Sequence, residues 1–214
     1  MSSQMSLKEA ERKAFRSTFQ DGIWDIYLGL VFLMFGIGPF IQVREEYDWI
    51  VTVGYFSLIV ILFIAAKKYI TTPRIGRATF STARKKKVNK VRLVLFLSVI
   101  LGAVVYFLSA DGSAIEGSIA AMPIPILLFT LNIFLVFGFG AYFLDFTRLY
   151  AYGALLGLSF PVGHFLVEIG VLASATRPFL LSSAIMIVIG IVLFVRFLRD
   201  NPPFDENSLP AGGA

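Results

Sequence analysis

Long apolar runs separated by short polar segments dominate the pattern of this chain. The runs cover residues 22–43, 49–66, 93–110, 122–144, 150–173 and 178–198. A helix needs about 20 apolar residues to cross the hydrocarbon core of a bilayer, so each run is close to that length. With 57% hydrophobic and 15% charged residues, the chain is also more apolar than an ordinary soluble domain, in which about a quarter of the residues are charged. The sequence therefore predicts an all-α polytopic membrane protein with six transmembrane helices within residues 21–199.

Basic residues are distributed unevenly between the two ends of these runs. The segment 67–92, which joins the second and third runs, is rich in Lys and Arg and contains no Asp or Glu. Because basic loops are retained on the cytoplasmic side of a membrane, we expect this loop and, with six spans, both termini in the cytoplasm. The predicted location is the plasma or inner membrane. Arg44 and Arg177 are the two basic residues that this topology places outside.

The same basic loop offers a surface for anionic partners. A Lys or Arg near a membrane surface contributes about 1 kcal/mol to the attraction of anionic lipid headgroups. A polyanion such as nucleic acid is the alternative, but the loop lacks the interleaved aromatic residues and the recognisable module that base recognition needs. We therefore expect contact with the lipid bilayer and its anionic headgroups, and none with nucleic acid. The predicted headgroup ligands are Arg74, Arg77, Arg84, Lys85, Lys86 and Lys87.

The two ends of the chain differ from the apolar runs. In residues 1–20, apolar side chains recur at helical spacing between Lys and Arg, and Ser6 with Glu9 forms a capping box. This pattern predicts a short amphipathic helix in the membrane interface; a solvated extension of the first span is the alternative. Residues 200–214 are rich in Pro, Gly and polar residues, which predicts a disordered cytoplasmic tail.

Two helix starts follow from capping preferences. Asp21 precedes the first span and is a favoured N-cap residue. Pro73 and Gly76 interrupt regular structure in the basic loop. Ser81 or Thr82 is then expected to cap a helix that runs through the lysines into the third span.

Small residues line one face of the first span. On a helix, Gly22, Asp25, Gly29 and Gly36 fall within about 60° of one another, which predicts a seam for the close approach of a second helix. Asp25 lies in the first turn, where a carboxylate suits the helix dipole. A structural role is therefore preferred for Asp25, which with Asp145 is expected at the cytoplasmic end of the spans.

The fifth run contains the candidate polar site. It is the run that contains both a histidine and a carboxylate, His164 and Glu168, and two of its glycines, Gly153 and Gly157, fall on the same helical stripe. Pro161, also on that stripe, is expected to kink the helix and free the Gly157 carbonyl. At 1.5 Å per residue, polar side chains of the fourth and sixth spans reach the same outer half of the membrane. The predicted site comprises His164, Glu168, Asn132, Ser182, Ser183 and Pro161.

Two interpretations of this site stay open. A kinked, glycine-lined face with a histidine and a glutamate is one way in which membrane proteins form ion or proton sites. Alternatively, His164 and Glu168 join neighbouring helices through hydrogen bonds to polar side chains, each contributing about 0.6 kcal/mol. The second interpretation is preferred because Glu168 lies near the edge of the membrane.

Composition excludes several classes of chemistry. The chain has no Cys and a single His, which excludes disulfides and thiolate or multi-histidine metal sites within one chain. No cofactor, metal or catalytic residue is predicted. The preferred function is a non-catalytic accessory or structural membrane subunit, with another membrane protein or a second copy of the chain as partner. The alternatives are a small-solute or proton-coupled transporter with its site at His164 and Glu168, and an intramembrane lipid-modifying enzyme.

Overall fold

In the computed structural model, six helices account for most of the described chain. The structure describes residues 11, 15, 17–41, 44–75, 81–110, 118–119 and 122–202. The helices are α1 Ile23–Ile37, α2 Glu45–Ala66, α3 Thr82–Ala110, α4 Ile124–Leu144, α5 Arg148–Glu168 and α6 Arg177–Asp200. A two-residue antiparallel strand pair, Ser118–Ile119 with Met122–Pro123, lies between α3 and α4.

Helix length and hydropathy support a membrane location. Five of the helices, α2 to α6, are long and apolar enough to cross a bilayer, whereas α1 has 15 residues. A 3-10 turn, Gly38–Phe40, extends α1. α2 continues through a π-helical turn, Lys67–Thr71, and a short helix, Thr72–Ile75. The chain is thus a helical membrane protein, and the coarse prediction from the apolar pattern is confirmed.

The helices are not arranged in chain order. α2 packs on α1, α1 on α6, α6 on α5, α5 on α4, and α4 on α3. Ring contacts also bring α1 beside α4, since the centroids of Phe32 and Phe137 are 5.7 Å apart and those of Phe35 and Phe129 are 6.2 Å apart. The centre of the bundle therefore consists of α1, α4, α5 and α6, and α2 and α3 lie at its edges.

Aromatic and aliphatic side chains fill this centre. Leu156, Phe179 and Met186 are fully buried. The Phe160 ring lies 4.6 Å from that of Phe179 and 5.1 Å from that of Phe129, both in edge-to-face geometry, which aromatic pairs favour. These contacts join α4, α5 and α6.

The predicted small-residue seam of α1 faces α6. A Cβ atom at Gly29 would lie 2.7 Å from Ile187 Cγ1 and 3.1 Å from the Ile187 nitrogen, and one at Gly36 would lie 2.7 Å from Leu180 Cδ2. Such distances leave no room for a larger side chain, so the glycines permit the two backbones to approach closely.

Glycines of α5 accommodate side chains of α4 in the same way. A Cβ atom at Gly153 would lie 2.7 Å from Phe137 Cβ, and one at Gly157 would lie 3.0 Å from Phe134 Cε2. These contacts fix the register between the two antiparallel helices. The glycine stripe of the predicted polar site is therefore a packing surface for α4.

Residues in the left-handed backbone conformation follow two of the helices. Asp145, with φ 52°, follows α4, and Gly170, with φ 75°, follows α5. The Val171 N–H donates to the Leu166 carbonyl at 2.9 Å, a typical way of closing a helix C-terminus. α5 thus ends at Glu168, although hydropathy continues to residue 173.

The segment before α1 packs against the bundle. Phe15 and Phe19 are buried, and the Phe19 ring stacks on Phe146 with centroids 5.2 Å apart. These two residues of the predicted amphipathic helix therefore contact protein; most of residues 1–16 lie outside the described part of the chain. Glu11 Oε1 accepts a hydrogen bond from Ser81 N at 3.0 Å, and this bond lowers the pKa of Glu11.

Candidate functional site

The polar residues predicted for the outer half of the membrane do not form one cluster. His164 Nδ1 lies 3.7 Å from Glu168 Oε1 on the same face of α5. The Glu168 side chain is 52% exposed and that of His164 is 24% exposed. Glu168 is also the last residue of α5. This pair therefore lies at a helix end and is open to the surroundings of the bundle.

The predicted Ser182 has a different partner. Its hydroxyl oxygen lies 3.0 Å from that of Ser159, and both hydroxyls donate to the Leu155 carbonyl, at 3.2 Å from Ser182 and 2.7 Å from Ser159. Ser159 and Ser182 are buried. They join α5 to α6 through a shared backbone acceptor and are satisfied there.

The other predicted residues lie apart from these pairs. Ser183 is fully buried, and its hydroxyl has no hydrogen-bond partner among the described residues. Pro161 lies inside α5, within its last two turns. Asn132 is half-buried on α4, and the contact between Phe134 and Gly157 places it roughly 8 Å, by helical rise, from the level of His164.

Other polar residues lie at the opposite end of the bundle, where α1, α3 and α5 begin and α2, α4 and α6 end. We call this the basic end. Asp25 of α1 is fully buried there. Arg148 of α5 donates to both of its oxygens, from Nε to Oδ1 and from Nη2 to Oδ2, each at 2.9 Å. The Tyr152 hydroxyl donates to Oδ1 at 2.5 Å. Asp25 is thus held by a bidentate arginine and a phenol, a strong and geometrically specific arrangement.

A second buried acid, Asp21, lies just before α1. Its Oδ2 accepts hydrogen bonds from Lys67 Nζ and Thr71 Oγ1, both at 2.6 Å. Its Oδ1 accepts from Ile23 N at 3.2 Å. The N-cap residue of α1 is Gly22, with φ 76°, and it has no side-chain cap bond, so the predicted N-cap role of Asp21 is wrong. Lys67 Nζ also donates to the Thr18 carbonyl at 2.7 Å. Asp21 therefore joins α1 to the π-helical turn at the end of α2.

A third acid, Asp145, lies in the turn between α4 and α5. Arg84 Nη1 of α3 donates to Asp145 Oδ2 at 2.7 Å, and both side chains are largely buried. The Arg84 guanidinium also lies 4.5 Å from the centroid of the Phe15 ring, within cation–π range. Arg84 thus fastens the segment before α1 to the basic end.

These contacts make the basic end a set of ionic links between helices. Each of the acids Asp21, Asp25 and Asp145 faces a cation from another helix, so the buried charges balance. Arg148 Nη2 also donates to the Phe19 carbonyl at 2.6 Å, which ties the segment before α1 into the same network. Among the described residues, no group of three or more acidic or histidine side chains is placed to hold a metal ion.

The residues predicted to contact anionic lipid differ in their availability. Arg84 is bound to Asp145, and Arg74 Nη1 donates to the Ile70 carbonyl at 3.1 Å. Arg77 lies outside the described residues. The exposed members of the predicted set are Lys85, Lys86 and Lys87.

Sequence reasoning missed the partners at the basic end. It expected Asp25 and Asp145 at one end of the spans but assigned them no cation. It used Lys67 and Arg148 as topology signals and Arg84 as a topology signal and a headgroup ligand. The predicted topology could have indicated these partners. It places the acids and the cations at span ends on the same side of the membrane, so their side chains lie at similar depth. Ser159 was not predicted as part of the polar site, because it is a single polar residue on an otherwise apolar face of α5.

Comparison of the chain with protein-family models, with characterised proteins and with solved structures finds no match.

Proposed function

We propose that this chain is a non-catalytic accessory or structural subunit of a plasma or inner membrane. The observation that carries the proposal is that buried acids at the basic end pair with cations of other helices. Asp21 and Asp25 have no exposed surface and direct their oxygens to donors of other segments. Charges paired in this way hold helices in place, since both carboxylate oxygens of Asp21 and of Asp25 accept hydrogen bonds from other described residues.

The proposed topology has six crossing helices and both termini in the cytoplasm. With 15 residues, α1 rises about 22 Å at 1.5 Å per residue, and the three-residue 3-10 turn adds about 6 Å at 2.0 Å per residue. The sum approaches the roughly 30 Å of a hydrocarbon core. The exposed lysines at the start of α3 support a cytoplasmic position for the basic end.

The edge helices supply the surface for a partner. α2 and α3 each pack mainly on one other helix, α1 and α4 respectively. Large apolar side chains along them are exposed, among them Trp49 of α2 and Phe96 and Val99 of α3. We propose that another membrane protein packs on this surface, with lipid covering the remainder.

Native mass spectrometry of the protein extracted in mild detergent tests the proposal. We expect a stoichiometric second protein in the spectrum; a bare monomer or a homodimer would contradict the accessory role. Because the chain contains no cysteine, single-cysteine variants can then locate the contact by cross-linking in intact membranes. Val99→Cys on α3 should cross-link to the partner, whereas Val192→Cys, exposed on α6, is the matched control.

Proton-coupled or small-solute transport is the second candidate. It is favoured by the 3.7 Å approach of His164 Nδ1 to Glu168 Oε1, two ionisable groups on one helix face. In proteoliposomes, Glu168→Gln should abolish pH-dependent flux if this pair carries protons. Flux that is equal in the wild type and the variant would remove this candidate.

A further inference from the structure

The surface of α4 and α5 contains an open groove near the basic end. Its volume is about 390 Å³, and its walls are apolar or aromatic: Phe134, Leu135, Gly138, Phe139, Tyr142 and Tyr150. From Phe134 to Tyr142 it follows α4 for about 12 Å at the helical rise. The groove therefore runs from the interior of the span to its basic end.

Gly138 forms the floor of the groove. A Cβ atom at Gly138 would meet no heavy atom within 4 Å, unlike the glycines that pack against neighbouring helices. The absence of a side chain at this position therefore serves no contact between helices of the described chain. It leaves open space along the groove that Gly138 lines.

Two exposed tyrosines lie at the mouth of the groove, and a cation lies one aromatic ring beyond the residues that line it. Tyr142 and Tyr150 are exposed, and tyrosine favours the boundary between the hydrocarbon core and the headgroups. Lys90 Nζ of α3 lies 5.4 Å from the centroid of the Phe143 ring, and that ring lies 5.2 Å from the Tyr142 ring. Lys90 is exposed and has no ion-pair partner among the described residues.

We propose that this groove binds one anionic phospholipid. An acyl chain lies along Gly138 between the aromatic walls, and the phosphate lies at the mouth, where Lys90 attracts it. The site differs from the basic residues predicted from the sequence, because it is set by a concave apolar surface with one adjacent cation. It depends only on the membrane location of the chain and not on its role as a subunit.

Competitive lipid binding tests the site. The purified protein is exchanged into bilayer nanodiscs that contain equal amounts of phosphatidylglycerol and phosphatidylcholine, and the lipids retained on ejection are counted by native mass spectrometry. We expect the wild type to retain one phosphatidylglycerol. Gly138→Leu fills the groove and should lose this lipid, whereas Gly102→Leu, at an equally open glycine on α3, should keep it.

A second pair of variants tests the headgroup contact without changing the groove. Lys90→Gln should reduce the preference for phosphatidylglycerol over phosphatidylcholine about fivefold, the effect of one cation near a membrane surface. Lys68→Gln, at an exposed lysine after α2 that is not among the predicted headgroup ligands, should leave the preference unchanged. Equal retention in Gly138→Leu and Gly102→Leu, or equal preference in Lys90→Gln and Lys68→Gln, would overturn the proposal. If Gly138→Leu does not fold, the lysine pair alone decides.

Discussion

Replacing Asp25 with alanine removes the acceptor that joins α1 to α5. The variant loses both hydrogen bonds from Arg148 and the one from Tyr152. The guanidinium and the phenol then remain in a largely buried position without their acceptor. Because an uncompensated charge in such a place is costly, we expect a clear loss of stability.

The magnitude follows from the exposure of the two partners. Removing one partner of a fully buried ion pair costs about 3–5 kcal/mol. Asp25 has no exposed surface, but the Arg148 side chain is 30% exposed and keeps its bond to the Phe19 carbonyl. Solvent and this second acceptor compensate part of the guanidinium charge. We therefore expect Asp25→Ala to lower the free energy of unfolding by about 3 kcal/mol, the low end of that range.

Unfolding by sodium dodecyl sulfate from mild detergent micelles, followed by circular dichroism, measures this loss. Glu46→Ala is the control, since Glu46 and Arg44 are 69% and 77% exposed and 3.9 Å apart, and such a pair contributes at most about 1 kcal/mol. The double variant Asp25→Ala with Arg148→Ala should lose less stability than the sum of the single variants, because no buried charge is left alone. A loss no larger than the control's, or full additivity of the two single losses, would refute the reasoning.

Three further predictions concern topology, packing and the phenol. Val171→Cys should react with a membrane-impermeant maleimide on intact cells, and Lys86→Cys only after permeabilisation; the reverse result would invert the proposed topology. Gly29→Leu should lower the free energy of unfolding by about 1–3 kcal/mol through overpacking against α6. Gly54→Leu, at an open position, should lower it little. Similar losses for the two variants in the same detergent titration would contradict the close contact. Tyr152→Phe should cost about 2 kcal/mol, the value of a hydrogen bond to a charged group, and a loss near zero would show that the phenol contributes nothing.

The positions of the helices are predictable because the bilayer imposes a length on apolar runs. Their ends are less predictable, since hydropathy does not report backbone conformation. Residues 169–173 are as apolar as the helix before them, yet α5 ends at Glu168 because Gly170 adopts a positive φ and Val171 N bonds to the Leu166 carbonyl. Glu168 is therefore the last residue of α5, and its side chain is 52% exposed.

For the packing of the helices, the sequence predicts which residues share a helix face but not which helix packs on that face. Helical periodicity grouped Gly22, Asp25, Gly29 and Gly36 on one face. The structure places α6 against the three glycines, whereas Asp25 faces α5. Periodicity could not identify α6 in advance, because a small-residue face accepts several partners. For the same reason, depth alone suggested that Ser182 and Glu168 lie near each other. The Ser182 hydroxyl instead lies 3.0 Å from that of Ser159, on the other side of α5, and donates to the Leu155 carbonyl.

The ionic links at the basic end explain how particular helices become neighbours in the folded chain. Apolar faces discriminate poorly between helices in a bilayer, where lipid tails are as apolar as leucine side chains. A buried acid discriminates strongly, because leaving it without a cation costs several kcal/mol. Asp21 is paired with Lys67 after α2, and Asp25 is paired with Arg148 of α5. The two acids, four residues apart at the start of α1, therefore favour α2 and α5 as neighbours of α1, and the glycine seam permits the close approach of α6.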